Sequence, residues 1–104
     1  MSKQSKATSI PRQVKTEVWF RDGKRCIICR QFVPIDFANS HVVKRSQGGL
    51  GIKENIVTHC LECHQKYDGM DNFTVKRTYE YIEKIYEGWK RERVVYTKYG
   101  KNRY

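Results

Sequence analysis

The chain has 104 residues, with 21 lysines and arginines against 11 aspartates and glutamates, so its formal charge is +10. This length favours one domain and excludes a multidomain enzyme. The mean hydropathy is −0.79, and no run approaches the roughly 18 apolar residues that a membrane-crossing helix needs.

The N-terminal quarter combines a polar segment with a short helix. Residues 1–9 carry serines and lysines and are expected to form a disordered basic tail. The lysines of this segment have no apolar stretch behind them, unlike a secretory signal, so a cytoplasmic location is expected. Pro11 suits the first turn of a helix, and Asp22-Gly23 ends the apolar pattern. A helix is therefore predicted over 11–21.

Two strands and a glycine-rich loop are predicted in the middle of the chain. Residues 34–43 alternate loosely between apolar and polar and indicate a strand that reaches His41. Residues 46–51 contain three glycines, which favours a loop. Residues 56–58 are two β-branched aliphatic residues and a threonine, which favours a second strand.

Two helices are predicted in the C-terminal third. The first covers 61–67 and ends at Gly69, and the second covers about 73–90. The second has an amphipathic stripe with spacings of three, four and three residues, formed by Tyr79, Ile82, Tyr86 and Trp89. Residues 94–96 are predicted to be a last strand or an extended arm, and 98–104 a basic tail.

The four cysteines form two C-x-x-C pairs, Cys26 with Cys29 and Cys60 with Cys63, separated by 30 residues. Each pair offers two thiolates on one tight turn, and two such turns complete a tetrahedral zinc site. A site with four sulfur ligands has no open position for catalysis, so its predicted role is structural. Unmetallated core cysteines and a redox pair are the alternatives, and the second lacks the βαβ context of thioredoxin-like sites.

The basic residues lie in two arms around a neutral centre. The net formal charge is +5 for residues 1–25, zero for residues 26–75 and +5 for residues 76–104. This distribution favours a polyanionic partner, above all nucleic acid. An acidic protein partner and a merely solvated surface are the alternatives.

The segment between the cysteine pairs, with the residues just after it, contains groups suited to phosphodiester hydrolysis. His64 and Asp68 are four residues apart on a predicted helix, share a face and can hold one divalent cation. His41, at the end of the first predicted strand, would face that cation. A neutral imidazole there can remove a proton from water while the cation stabilises the charge on phosphate.

The order of these residues resembles the HNH nucleases of the ββα-metal class, over residues 12–69. The lead-in Arg21-Asp22-Gly23 and the glycine-rich stretch from Arg45 to Gly51 resemble those of small phage and prophage HNH proteins. The matching motifs are Cys26-x-x-Cys29, Asn39-Ser40-His41-Val42-Val43, Gly48-Gly49, Glu54-Asn55-Ile56-Val57 and Cys60-x-x-Cys63-His64.

The resemblance implies a role for each matching residue. His41 would be the general base, Asn55 would brace the loop that carries the base, and His64 would bind the catalytic cation. Asp68 would be a second ligand, where the family usually has a histidine. A carboxylate favours Mg²⁺ or Mn²⁺, with Ni²⁺ or Zn²⁺ as alternatives.

One position departs from the family pattern. The residue before the base is commonly a metal-binding Asp, Glu or His, and here it is Ser40, a poor ligand. Arg45 is predicted either to contact a DNA phosphate or to be an ordinary surface charge. His59 is interpreted as structural.

These expectations combine into an α+β fold: a small ββα-metal (HNH) nuclease domain over 10–97, stapled by the four-cysteine zinc site and flanked by N- and C-terminal helices. Its zinc and HNH core is placed at about 22–69. The predicted activity is metal-dependent cleavage of double-stranded DNA with weak sequence specificity. The resemblance to phage proteins also implies a terminase or packaging partner. The alternative is a zinc-stabilised DNA-binding module without catalytic activity that acts with a packaging or mobile-element partner.

Overall fold

The structure, a computed structural model, describes residues 3–37 and 39–97. Its helices are α1 (Lys3–Thr8), α2 (Arg12–Arg21), α3 (Leu61–Asp68) and α4 (Asn72–Ile85), and its strands are β1 (Ser40–His41) and β2 (Ile56–Val57). None of the helices in these described ranges is long and apolar enough to cross a membrane.

The centre of the fold is a two-stranded sheet followed by a helix. The strands β1 and β2 are antiparallel, with Ser40 opposite Val57 and His41 opposite Ile56. The helix α3 begins after β2, with the Cys60 side chain at its N-cap. This order confirms the predicted α+β, ββα fold class.

The first strand is shorter than predicted. The pattern over residues 34–43 predicts an extended segment, but Ile35–Phe37 form a 3-10 turn and only Ser40–His41 pair with the second strand. The 3-10 turn starts at Pro34, whose carbonyl accepts the Phe37 N–H at 3.0 Å. Local turn formation therefore replaces the first half of the predicted strand.

The described residues of the N-terminal segment form a helix, where the sequence predicts a disordered tail over 1–9. Lys3–Thr8 form α1, and the Thr8 side chain is buried. The Gly51 N–H donates to the Ala7 carbonyl at 3.0 Å, which ties α1 to the glycine-rich loop. A six-residue helix is not stable by itself, so contacts of this kind stabilise it.

The C-terminal helix ends earlier than predicted. The last residue of α4 is Ile85, whereas the amphipathic pattern extends to about residue 90. Gly88, with φ +76°, turns the chain so that the Trp89 ring packs in the core and its Nε1–H donates to the Glu54 carbonyl at 2.6 Å. Tertiary packing of Trp89 thus replaces the last helical turn.

The segment after α4 returns to the glycine-rich loop. Arg91–Val94 form a 3-10 turn, and Val95 forms a β-bridge with Gly49. The carbonyls of Val94 and Gly48 accept the N–H groups of Leu50 and Tyr96, at 2.8 and 2.7 Å. This is the extended arm among the two predicted alternatives. The predicted basic tail, 98–104, lies outside the described residues.

Two apolar clusters form the core of the described residues. The larger joins β2 and the two valines that follow β1 to α4 and the C-terminal arm, and Tyr79 and Tyr86 of the amphipathic stripe pack against it. Its buried members are Val42, Val43, Val57, Ile82, Trp89 and Val94. The smaller consists of Cys26, Val33 and Cys63, with Trp19, Ile28 and Cys60 packed against it. The cysteines therefore form much of the core in their half of the fold.

A buried ion pair at the end of α2 connects the elements. Arg21 Nε lies 2.7 Å from Asp22 Oδ1, and the Asp22 side chain is fully buried. Asp22 Oδ2 also accepts the Thr58 N–H at 2.9 Å, and Oδ1 accepts the Tyr81 hydroxyl. Arg21 donates to the Ile56 carbonyl at 2.8 Å. The pair therefore links α2, β2 and α4.

Replacement of Asp22 by asparagine should destabilise the fold strongly. The change leaves the Arg21 guanidinium without its buried counter-charge, and breaking a buried pair from one side costs about 3–5 kcal/mol. We expect the free energy of unfolding from urea denaturation to fall by about 3 kcal/mol, since Arg21 is partly exposed. The exposed Asp36→Asn variant is the control, and equal stability of the two variants would contradict the prediction.

Candidate active site and metal centre

The four cysteines come together at one point. The ligand atoms of Cys26, Cys29, Cys60 and Cys63 all lie within 4.8 Å of one another, and the sulfurs of Cys29 and Cys60 are 3.6 Å apart. Four sulfurs around one zinc at about 2.3 Å would be separated by roughly 3.8 Å, which fits this cluster. The four cysteines can therefore hold a structural metal such as zinc.

Local backbone structure prepares both pairs of cysteines for this role. A β-bridge between Arg25 and Phe32 closes the first turn, with Arg30 at φ +68°. The N–H of Ile28 donates to Cys26 Sγ, and the N–H of Cys63 to Cys60 Sγ, each at 3.4 Å. Such N–H···S bonds favour thiolates, the form of cysteine that binds metal.

The histidines and the aspartate of the predicted active site share one cavity of about 340 Å³. It is lined by His41, Lys44, Arg45, Ser46, His64 and Asp68. His64 Nε2 and Asp68 Oδ2 are 3.2 Å apart, one helical turn apart on α3. The structure therefore brings together the predicted base and both predicted cation ligands, and places two basic side chains beside them.

One hydrogen bond sets the orientation of the His41 ring. Its Nε2 lies 2.8 Å from the carbonyl oxygen of Thr8, which can only accept, so Nε2 carries the proton. In the neutral ring, Nδ1 is then left with a lone pair. Burial lowers the pKa of His41, and the charges of Arg45 and His64 lower it further against the opposing effect of the Thr8 bond. His41 is therefore neutral near pH 7.

Asn55 connects the two ends of the loop that follows β1. Its Oδ1 accepts the Val43 N–H at 2.8 Å, and its Nδ2 donates to the carbonyls of Val43 and Leu50 at 3.2 and 2.9 Å. Gly49 packs closely against both residues. A Cβ at this position would lie 1.7 Å from the Val43 carbonyl oxygen and 2.9 Å from Asn55 Nδ2. These contacts join the two ends of the loop 43–50, which follows His41 in the chain; the bracing role of Asn55 stays a prediction.

Arg45 points to α1. Its Nε donates to Thr8 Oγ1 at 3.0 Å, and its Nη2 donates to Ser9 Oγ and the Ser5 carbonyl at 2.9 and 3.2 Å. Arg45 therefore holds the segment whose Thr8 carbonyl orients His41. Its contact with a DNA phosphate stays a prediction.

Ser40 does not face the cavity as a metal ligand. Its hydroxyl lies 2.6 Å from His64 Nδ1 and 2.9 Å from His59 Nδ1. The other nitrogen of His59, Nε2, lies 3.0 Å from the Thr78 hydroxyl on α4. Burial lowers the pKa of His59 to about 4, so this ring is neutral near pH 7.

The sequence pattern did not reveal three of these partners. Thr8 acts through a backbone carbonyl, which no side-chain motif can indicate. His59 and Thr78 are both buried, but their bond joins residues 19 positions apart. The one available signal was Thr78 itself, a polar residue on the buried face of an amphipathic helix, where a partner is required.

The cysteine cluster is the one group of three or more potential metal ligands in the described part of the chain. His64 and Asp68 therefore offer two protein ligands in their cavity.

The chain was compared with models of protein families. Residues 26–68 match the family model described as HNH endonuclease. The matched segment contains all four cysteines together with His41, Asn55, His64 and Asp68. Comparisons with curated proteins and with solved structures found no match.

Proposed function

Because residues 26–68 match the HNH endonuclease family model, we propose that the protein is a metal-dependent endonuclease that hydrolyses DNA phosphodiester bonds. The observation that carries the proposal is the cavity shared by His41, His64 and Asp68. Hydrolysis of a phosphodiester requires a base for water and a positive charge for the phosphate, and this cavity offers residues for both.

His41 acts as the general base through Nδ1. The Thr8 carbonyl holds the proton on Nε2, so the Nδ1 lone pair is available to take a proton from water. The resulting imidazolium keeps its bond to the same carbonyl, which stabilises the charged ring. The neutral state of His41 near pH 7 prepares it for this step.

His64 and Asp68 would hold the catalytic cation. Their donor atoms, 3.2 Å apart, have nearly the separation of about 3.0 Å expected for neighbouring ligands at 2.1 Å in an octahedral site. A site with one imidazole nitrogen and one carboxylate oxygen suits Mn²⁺ or Mg²⁺. Ni²⁺ and Zn²⁺ are the alternatives. When bound, the cation neutralises charge that develops on the phosphate and on the leaving oxygen.

The four cysteines hold the structural zinc, which has no catalytic role. All four tetrahedral positions would be filled by sulfur, so no position remains for water or phosphate. Zinc bound by these cysteines would connect the turn after α2 to the first turn of α3, the helix that carries His64 and Asp68.

Double-stranded DNA is the proposed substrate. The formal charge of +10 supports contacts with the phosphate backbone, and Lys44 lines the cavity beside His64. Backbone contacts carry no sequence information, so we propose cleavage with weak sequence specificity. We also propose a terminase or packaging partner, because of the resemblance to phage proteins. A cytoplasmic location is proposed from the composition of the N-terminal segment.

A DNA-binding module without catalytic activity is the second candidate. Ser40 favours it, because this side chain bonds to His59 and His64 and leaves two protein ligands for a cation. Both candidates share the zinc site and the basic surface, so only cleavage distinguishes them.

The deciding experiment is nicking of supercoiled plasmid with and without added Mg²⁺, Mn²⁺ or Ni²⁺. We expect cation-dependent nicking by the wild type and by the control Gln65→Ala, which changes an exposed neighbour on α3. The His64→Ala variant should fall to the cation-free level while it still binds DNA in a gel-shift assay. DNA binding without nicking by the wild type in any cation would favour the second candidate.

A further inference from the structure

A chain of four hydrogen bonds runs from α4 through the core to the candidate cation site. It contains the Thr74 carbonyl, the Thr78 hydroxyl, the His59 ring, the Ser40 hydroxyl and the His64 ring. We propose that Thr78, His59 and Ser40 are positioning residues that keep a proton on His64 Nδ1, so that Nε2 is the nitrogen that binds the cation. Its consequence for catalysis rests on the proposed function.

Which group donates each of these four hydrogen bonds is determined at the buried end of the series, on α4. The Thr78 hydroxyl donates its one hydrogen to the Thr74 carbonyl at 2.8 Å. Toward His59 Nε2, at 3.0 Å, the same hydroxyl can then only accept. His59 Nε2 therefore carries a proton. His59 is 1% exposed, and a neutral imidazole with a proton on Nε2 has a lone pair on Nδ1.

The Ser40 hydroxyl links the His59 ring to the His64 ring, which lines the cavity. Because His59 Nδ1 can only accept, the Ser40 hydroxyl donates to it across 2.9 Å. The single hydroxyl hydrogen is then used, so the 2.6 Å contact with His64 requires that His64 Nδ1 donates. His64 Nε2 faces Asp68 Oδ2 at 3.2 Å, and it is the nitrogen that a cation binds, in place of the proton that the Asp68 carboxylate attracts there when no cation is present.

If every hydrogen bond in this series were donated in the opposite sense, His64 could not bind a cation through Nε2. If Ser40 donated to His64 Nδ1, the proton of a neutral His64 would lie on Nε2 and occupy the lone pair that a cation needs. Histidine ligands in proteins generally donate their other N–H to a fixed acceptor, and loss of that acceptor weakens metal binding by about 10–100-fold. Ser40 is that acceptor here.

The proposal explains why a serine can stand where a ligand is common. Its hydroxyl lies between two imidazole rings, is buried and reaches both at hydrogen-bond distance. An aspartate there would bind the cation directly but would only accept, and could not donate to His59 Nδ1. Ser40 therefore contributes to the cation site through the orientation of His64.

The test measures cation affinity and the position of the His64 proton in the full-length zinc-loaded protein. Mn²⁺ affinity is obtained from electron paramagnetic resonance of the free ion, with zinc content checked in every variant. We expect Ser40→Ala to weaken Mn²⁺ binding by about 10–100-fold. Thr78→Val, which touches neither His64 nor Asp68, should also weaken it, and Thr78→Ser should restore wild-type affinity.

Ser46→Ala is the matched control, since Ser46 is an exposed serine that lines the same cavity. Wild-type Mn²⁺ affinity in both Ser40→Ala and Thr78→Val would overturn the proposal. If Thr78→Val does not fold, Ser40→Ala against Ser46→Ala decides the outcome.

The second readout is the ¹⁵N spectrum of the His64 ring, recorded without added cation and with saturating Mg²⁺. A proton on Nδ1 in both states is expected, and a ring protonated only on Nε2 would overturn the proposal whatever the activity. An Nδ1 proton in a wild type that binds no cation would support the bond chain and contradict the proposed catalytic site. The two failures are thereby distinguished.

Discussion

Removal of the metal from the four cysteines should unfold the domain. The cysteines form half of the smaller apolar cluster, and few other buried residues hold the turn after α2 to α3. Structural zinc contributes about 10–16 kcal/mol in small domains, which equals or exceeds the total stability of about 5–15 kcal/mol for a typical protein. Strong chelation or Cys63→Ser should therefore abolish the cooperative thermal transition seen by circular dichroism.

The control for this prediction is reversal by zinc. Addition of Zn²⁺ to the chelated wild type should restore the transition, whereas Cys63→Ser should recover little of it. An unchanged cooperative melt, with metal analysis showing that zinc has left, would contradict the prediction. The result also determines how activity is tested: a strong chelator would stop cleavage by unfolding, so the cation-free reaction is prepared by omission of the added cation.

The metal centre and the order of elements could be predicted because their signals are local. Two C-x-x-C pairs have little other use in such a sequence, and α3 occupies Leu61–Asp68 where the pattern indicated 61–67. The roles of His41 and Asn55 were predicted from their place between the cysteines and stay predictions. For these features, the chemistry of single side chains and their spacing carried the information.

The rest of the site depends on contacts between residues distant in sequence. The helix α1 is too short to be indicated by propensity, and Arg45 and Gly51 hold it in place. The roles of Ser40 and Thr78 depend on which side chains the fold brings to His59. The early end of α4 follows from the burial of Trp89, which outweighs the helical pattern.

Replacement of His41 by alanine should reduce the rate of cleavage by about 10²–10⁴-fold, the usual contribution of a general base. The change removes the nitrogen that accepts the proton from water but leaves His64 and Asp68 in place. Mn²⁺ affinity and DNA binding should therefore stay close to the wild type. The measurement is single-turnover nicking at saturating Mn²⁺, beside the gel-shift assay.

The pH dependence of the wild type supplies a second, independent check on His41. A general base works in its neutral form, so the rate should fall as the pH is lowered through the pKa of His41. Burial lowers that pKa, so the midpoint should lie below the ordinary histidine value of about 6.5, and the rate should be on its plateau at pH 7.

This limb of the profile should disappear in His41→Ala, whose residual rate no longer depends on that ring. Mn²⁺ is kept saturating at each pH, so that His64 and Asp68 hold the cation throughout. A loss of cation binding at low pH then cannot produce the same fall in rate. Cleavage by His41→Ala at the wild-type rate would assign the base elsewhere. A variant that is slow but keeps the wild-type midpoint would show that His41 positions the loop and that another group takes the proton.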